Sequence, residues 1–229
     1  MQQTVDNRKA RSEATRNALM RAAEKLIAEQ GMENVSIREI VSAAAQKNES
    51  ALQYHFKNLS GLITAIVAER AEQTHLKRAE LIAELTARAP KPSLRELCVL
   101  MVQPAFDLAR AEVGFRRYVK AFGHQLMLTE DSPLAAITDH GIDGPSGKQM
   151  NRLLRAALPH LDADSYKRRM EAVVRLCSAS MYHQSRQKSA FKGPAADLFL
   201  HSLVDALVGL LDAPLSAKTK ALAKRVGAS

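Results

Sequence analysis

Apolar residues recur at three- and four-residue spacing along almost the whole chain, with no run of strict alternation, a period that suits helices rather than sheet. The fold is therefore expected to be all-α. Leu19, Ala22, Ala23, Leu26 and Ile27 form one such stripe, on a helix that Gly31 should stop by following Gln30 as a C-cap residue. Ser36 with Glu39 three residues on has the pattern of a capping box. It predicts a short helix to about Ala45 with Ile37, Ile40, Val41 and Ala44 inside. After the polar pair Gln46-Lys47, Asn48 is placed to cap a third helix through about His55, turning Leu52 and Phe56 inward. A fourth helix, carrying Leu62, Ile63, Ile66 and Val67, is expected from near Leu59 to about Ala87, before the break Ala89-Pro90-Lys91-Pro92.

Beyond that break the periodicity predicts longer helices at roughly 93–111, 113–128, 145–159, 164–188 and 194–212. Pro104 should kink the first of these or end it early. From Ala213 onward the chain is small, polar and basic, with Lys218, Lys220, Lys224 and Arg225, and is expected to be mobile.

Composition narrows the setting. With 46% hydrophobic and 25% charged residues the chain is ordinary globular material, and no stretch reaches the roughly 18 consecutive apolar residues of a membrane span. Met1 to Arg11 is polar and lacks the apolar segment of a secretory signal, so a cytoplasmic setting is the expectation. The two cysteines, Cys98 and Cys177, each sit in an apolar helical pattern and read as buried free thiols. The formal charge of +9 favours an anionic partner, nucleic acid or anionic lipid. Residues 1–75 carry ten basic and nine acidic side chains, so the excess lies further on and does not single out the N-terminal region.

Two short helices at 36–45 and 48–55, joined by a tight polar turn and preceded by a longer amphipathic helix, have the proportions of a helix-turn-helix unit. Asn48, Glu49, Ser50, Ala51, Gln53, Tyr54 and His55 would then point outward from its reader. Amides can pair with adenine, small apolar groups can meet thymine methyls, and Tyr, His and Lys can hold phosphate oxygens. A plain polar solvent face on a short helix fits these residues equally well.

Residues 12–67 resemble the N-terminal domain of TetR-type repressors. The likeness is carried by Ser36-Ile37-Arg38-Glu39-Ile40, by Gln46 through Phe56 with its Tyr54-His55-Phe56 triplet, and by Gly61-Leu62-Ile63. It implies base contacts from about Lys47 to Gln53, phosphate contacts from Tyr54 and His55, and a backbone grip from Ser36 and Arg38. Two positions depart from the family's pattern: Ala45 stands where the turn usually has glycine, in a turn one residue longer than the commonest form, and Leu59 replaces the usual basic residue. Lys57 is the substitute phosphate contact, and altered register or affinity is expected rather than loss of binding. Arg8, Lys9, Arg11 and Arg16 offer a basic arm that either reaches neighbouring phosphates or is only solvated.

The resulting organisation is a flexible basic arm at 1–11, a three-helix helix-turn-helix DNA-binding domain at 12–58, a helical effector-binding and dimerisation domain at 59–212, and a mobile tail at 213–229. Residues 194–212 are apolar almost all round and must be buried on two sides. A four-helix dimer interface with the preceding helix, using Val173, Cys177, Met181, Phe199, Leu203, Ala206, Leu207 and Leu210, accounts for this; so does a helix buried in one monomer core. Met101, Phe106, Phe115, Tyr118, Phe122, Met127 and Tyr182, with His124 and His183 as further polar anchors, are candidate effector-pocket residues or else core.

The function expected is a ligand-responsive transcriptional regulator, a repressor that binds a near-palindromic operator as a homodimer and is released by a small apolar or aromatic effector. The alternative is a helical DNA-binding protein without such an effector, regulated by a protein partner. A peripheral membrane protein using the basic C-terminal helices is a third class. No catalytic role, cofactor, metal site or membrane partner is expected. The histidines show no paired spacing, Gly141 through Gln149 is a poor phosphate loop, and Asp139-His140 beside Asp143 reads as a polar loop rather than a catalytic cluster.

Overall fold

A computed structural model of the chain describes residues 2–125, 132–135 and 144–226, with side chains from residue 7 onward. Asp139, His140, Asp143 and Met127, all singled out in the sequence, lie outside the described residues. The regular structure among the described residues is all helical, with no strand: α1 (Gln2–Gln30), a 3-10 turn at Met32–Asn34, α2 (Ile37–Ala43), α3 (Ser50–Phe56), α4 (Leu59–Arg88), α5 (Leu94–Ala111), α6 (Val113–Phe122), α7 (Gly144–Ala157), α8 (Ala163–Ser185), α9 (Gly193–Asp212) and α10 (Ala217–Val226).

Local signals explain most boundaries. Gly31, at φ 87°, ends α1 with its N–H on the Ile27 carbonyl at 2.9 Å. Ser93 and Glu96 close a second capping box at the start of α5. Asp162 caps α8 by accepting the Ser165 N–H at 2.8 Å.

Four expectations change. α1 begins at Gln2, so the segment 1–11 expected as a flexible arm is helical from Gln2 onward. Pro104 does not end α5, which continues to Ala111 with Leu100, Val102 and Phe106 buried around it. α6 stops at Phe122 against Gly123 instead of reaching 128. The basic tail contains α10, although none of its residues is buried.

Apolar burial is divided between two clusters. The first joins Leu19, Ala23 and Ile27 of α1 to Ile40, Val41, Leu52, Phe56, Leu62 and Ile66, and it also takes in Ala121 and Phe122 from α6. The second runs from Ile82 and Leu85 of α4 through α5, α7 and α8 to Leu200, Val204, Leu207 and Leu211 of α9. α4 thus belongs to both, and the boundary expected after residue 58 falls at the start of a helix that the two clusters share. α9 is long and apolar enough to cross a membrane, yet one face of it packs inside this second cluster. Cys98 is buried and Cys177 half-buried, both as free thiols. Burial pushes each up to about 12, with Cys98 adding to the shift at Cys177, which leaves both protonated and unreactive at neutral pH.

Candidate nucleic-acid interface and cavity

The helix before α3, α2, is capped at both ends. Ser36 accepts the Glu39 N–H on its hydroxyl at 3.2 Å, while the Ser36 N–H donates to Glu39 Oε2 at 2.9 Å. Donation to the Glu39 carboxylate from the Ser36 hydroxyl first, and from the Ser36 N–H second, holds that carboxyl below its ordinary range. These bonds also occupy the N–H and hydroxyl hydrogen of Ser36, whose Oγ donates to Glu39 Oε2 at 2.6 Å, so its predicted grip on phosphate competes with its cap.

α2 then ends in a Schellman turn. The Gln46 N–H reaches the Val41 carbonyl at 3.0 Å and the Ala45 N–H reaches Ser42 at 3.0 Å. That geometry puts the residue between them in the left-handed region, and Ala45 sits there at φ 54°. The departure noted in the sequence therefore leaves the turn's geometry intact. Asn48 does not cap α3 as expected: its Oδ1 takes the Ser50 hydroxyl, and the N-cap residue is Glu49, which makes no side-chain cap bond.

Leu52 and Phe56 anchor α3 from below. On the other side Ser50, Gln53 and Tyr54 are exposed, Tyr54 by 80%. Lys47, Asn48, Glu49, Lys57, Arg38 and Ser36 are exposed as well, and Ala51 and His55 are half-buried. The His55 ring stands 4.9 Å from Tyr54 and 6.0 Å from Phe56. Its pKa is lowered by burial first and by the Arg16 charge second, against a smaller opposing pull from Glu13.

Sequence reasoning missed the neighbour of this face. The N-terminal part of α1 lies beside α3, and Arg8, Arg11, Ser12 and Thr15 share one open cleft with Ser50, Ala51, Gln53, Tyr54 and His55. The Arg16 guanidinium rests 5.6 Å over the Phe56 ring. The arginines form a helical rim on the reader rather than a loose arm.

A half-enclosed cavity of about 800 Å³ lies on the other side of α4. Met101, Phe115, Tyr118 and Phe122, all predicted pocket residues, form part of its wall. Phe106 does not. It is fully buried between Phe191 and Phe199, with Arg110 over its ring at 4.7 Å. Tyr182 is not in the wall either, its ring instead facing His124 at 5.2 Å. Met150, Met170, Met181 and Arg78 complete the wall in ways the sequence did not signal. Burial pushes Tyr118 up to about 12, so its phenol stays neutral.

The predicted dimer set is split by burial. Val173, Met181, Leu203 and Leu207 are buried within the chain's own second core and present little to a partner. Phe199, Cys177 and Leu210 are half-buried, and Ala206 is exposed. Leu198, outside that set, is 69% exposed.

Residues 19–66 match the family described as bacterial regulatory proteins, tetR family. Among solved structures, Salmonella enterica GusR is similar at 21% identity and a TM-score of 0.44, covering 86% of this chain and 95% of that one. No curated protein matches the chain. The family match begins at Leu19, where α1 enters the N-terminal core, and ends at Ile66, the last α4 residue buried in it. Residues 19–66 are thus a helix-turn-helix domain of the kind found in the tetR family of bacterial regulatory proteins.

Proposed function

We propose that this regulator is a ligand-responsive repressor, binding a near-palindromic operator as a homodimer and releasing it when a small molecule occupies the α4 cavity. The observation that carries the reading is the double use of α4. Leu62 and Ile66 pack in the core that holds α3, whereas Ile63 and Val67, one residue on in each case, line the cavity. A ligand that moved this helix would move the reader. Occupancy releases DNA only if the ligand prefers a conformation in which the readers are wrongly placed.

Dimerisation enters because two readers roughly 34 Å apart are needed to span successive major-groove half-sites. The exposed side of α9, with Leu198, Ala206 and Gly209, is an apolar and small-residue face that a second copy would cover. Ser50, Gln53 and Tyr54 would face the groove, with Lys47, Lys57, Arg8 and Arg11 on flanking phosphates.

The test is binding of the purified protein to DNA from upstream of its own gene across a salt series, with wild type beside Tyr54→Ala. Saturable binding with a steep salt slope, lost in the variant, supports the reader. Equal and weak binding by both proteins at every sequence tried assigns the basic surface to non-specific attraction and overturns the repressor reading. Light scattering of the free protein decides the dimer separately.

A further inference from the structure

We propose that the α4 cavity is built for an organic anion: a small molecule with an apolar body and one carboxylate, sulfonate or phosphate group, held by Arg78. This rests on the reading of the cavity as a ligand site and adds the chemical class of the ligand. Among the described wall residues Arg78 and Lys148 are the only charged ones, and no Asp or Glu accompanies them. The apolar share of the wall is large, with Met101, Met150, Met170 and Phe115 among its members. Its volume of about 800 Å³ falls within the roughly 300–1,000 Å³ of small-molecule sites.

Arg78 is an odd residue to find there. It lies on α4 and keeps part of its surface in contact with solvent. Even so, desolvation lowers its pKa, with no carboxylate among the described residues offsetting the cost. Its Nη1 stands 3.4 Å from His75 Nδ1, and His75 in turn lies 3.3 Å from Ser146 at the start of α7. Other arginines of the chain, by contrast, are matched: Arg70 with Glu24, Arg95 with Asp205, Arg110 with Asp197. A guanidinium that is desolvated at the edge of an apolar cavity and unmatched by an acid among the described residues is compensated when a ligand brings the anion. Lys148, exposed at the mouth, adds attraction on the way in.

Two fluorescent probes with the same ring system test this on the full-length protein: anilinonaphthalene sulfonate, an anion, and phenylnaphthylamine, its neutral counterpart. Wild type is expected to bind both saturably, the sulfonate more tightly. Arg78→Gln should weaken the sulfonate about tenfold or more and leave the neutral probe within about twofold. Arg152→Gln, an equal charge change at an exposed position outside the wall, should match wild type with both. Arg78→Met is a second neutral variant, and unchanged binding of the neutral probe reports that either variant is folded.

If Arg78→Gln leaves the sulfonate as tight as in wild type, or weakens both probes alike, the anion assignment is overturned while the cavity reading stands. If wild type binds neither probe, the cavity reading falls and the assignment with it.

Discussion

Glu24 of α1 and Arg70 of α4 meet in a two-point ion pair, Nε to Oε1 at 2.7 Å and Nη2 to Oε2 at 2.9 Å, with both side chains almost fully buried. Around them Arg21 reaches Glu24 at 2.7 Å and also pairs with Glu69, and Arg70 Nη1 donates to Gln73 at 2.8 Å. The same guanidinium stands 3.7 Å from Glu112 and 5.8 Å over the Phe115 ring. Gly114 makes room for it, since a Cβ there would lie 2.8 Å from Nη2. One side chain on the shared helix therefore ties the first helix of the DNA-binding domain to the start of α6, a cavity wall.

Removing one partner leaves a carboxylate buried with half its compensation, whereas removing both leaves an apolar gap. Arg70→Met is expected to lower unfolding free energy by about 3–5 kcal/mol, and the double variant Glu24→Leu with Arg70→Met to recover most of that loss. Urea denaturation of the four proteins measures the cycle. A single-variant loss under about 1 kcal/mol would show that the pair contributes little to holding the junction.

Ala45 carries the one feature of the turn that chemistry disfavours. A left-handed φ costs a residue with Cβ roughly 1 kcal/mol, and Ala45 is exposed, so its methyl repays none of that through packing. Ala45→Gly should raise stability by about 0.5 kcal/mol after the larger chain entropy of glycine is deducted, and Ala45→Val should lower it by at least about 1 kcal/mol. Thermal melts of the pair read the sign. A glycine variant less stable than wild type would contradict the argument.

The sequence made local devices legible and left distant ones unreadable. The Ser36–Glu39 box and the Gly31 stop depend on residues within one turn of each other, so pattern sufficed. The Met20 and Glu24 face of α1 is buried by contacts from outside its own segment, including α4, about 46 residues away at the Arg70 pair, and nothing near Met20 encodes that. α9 is apolar almost all round, and periodicity cannot tell the side covered by its own core, Leu203 and Leu207, from the side left open at Leu198. Arg78 reads as an ordinary solvated charge on α4 until α5 and α7 close over it. The segment 2–11 lacks an apolar stripe, so its helix was invisible to a hydrophobic period.

Gly61 is needed for a reason unrelated to φ. A Cβ at this position would stand 2.0 Å from the Phe56 carbonyl oxygen and 3.1 Å from its carbon, backbone atoms at the end of the reader helix. Gly61→Ala must push α3 and α4 apart and is expected to cost at least about 2 kcal/mol, with weaker DNA binding because the reader shifts. Asn58→Ala removes only the cap on the Gly61 N–H, a bond of 2.8 Å, and should cost about 1 kcal/mol. Denaturation curves compare the two. Equal losses would mean that the close approach is absorbed by relaxation.

If His55 contacts a DNA phosphate, as the proposed function implies, binding has a pH dependence of definite sign. In the free protein burial and Arg16 hold its pKa below the ordinary 6.5, so the ring is neutral at pH 7. A DNA phosphate beside the ring favours the protonated form and raises the pKa in the complex. Binding therefore takes up a proton in the window between the lowered free value and the raised bound value, and affinity rises as pH falls through that window. Above the bound value both states are neutral, below the free value both are charged, and the slope vanishes at either end. Folding responds in the opposite direction. The unfolded chain holds this proton more readily, so the free protein loses stability as pH falls below about 6.5, until the folded value is passed. Operator titrations between about pH 6 and 8 at fixed salt, with His55→Gln beside wild type, measure the first effect. Wild type should bind more tightly at the acid end, and the variant should show a flatter profile. Parallel profiles, or tighter wild-type binding at the alkaline end, would remove His55 from the phosphate contact.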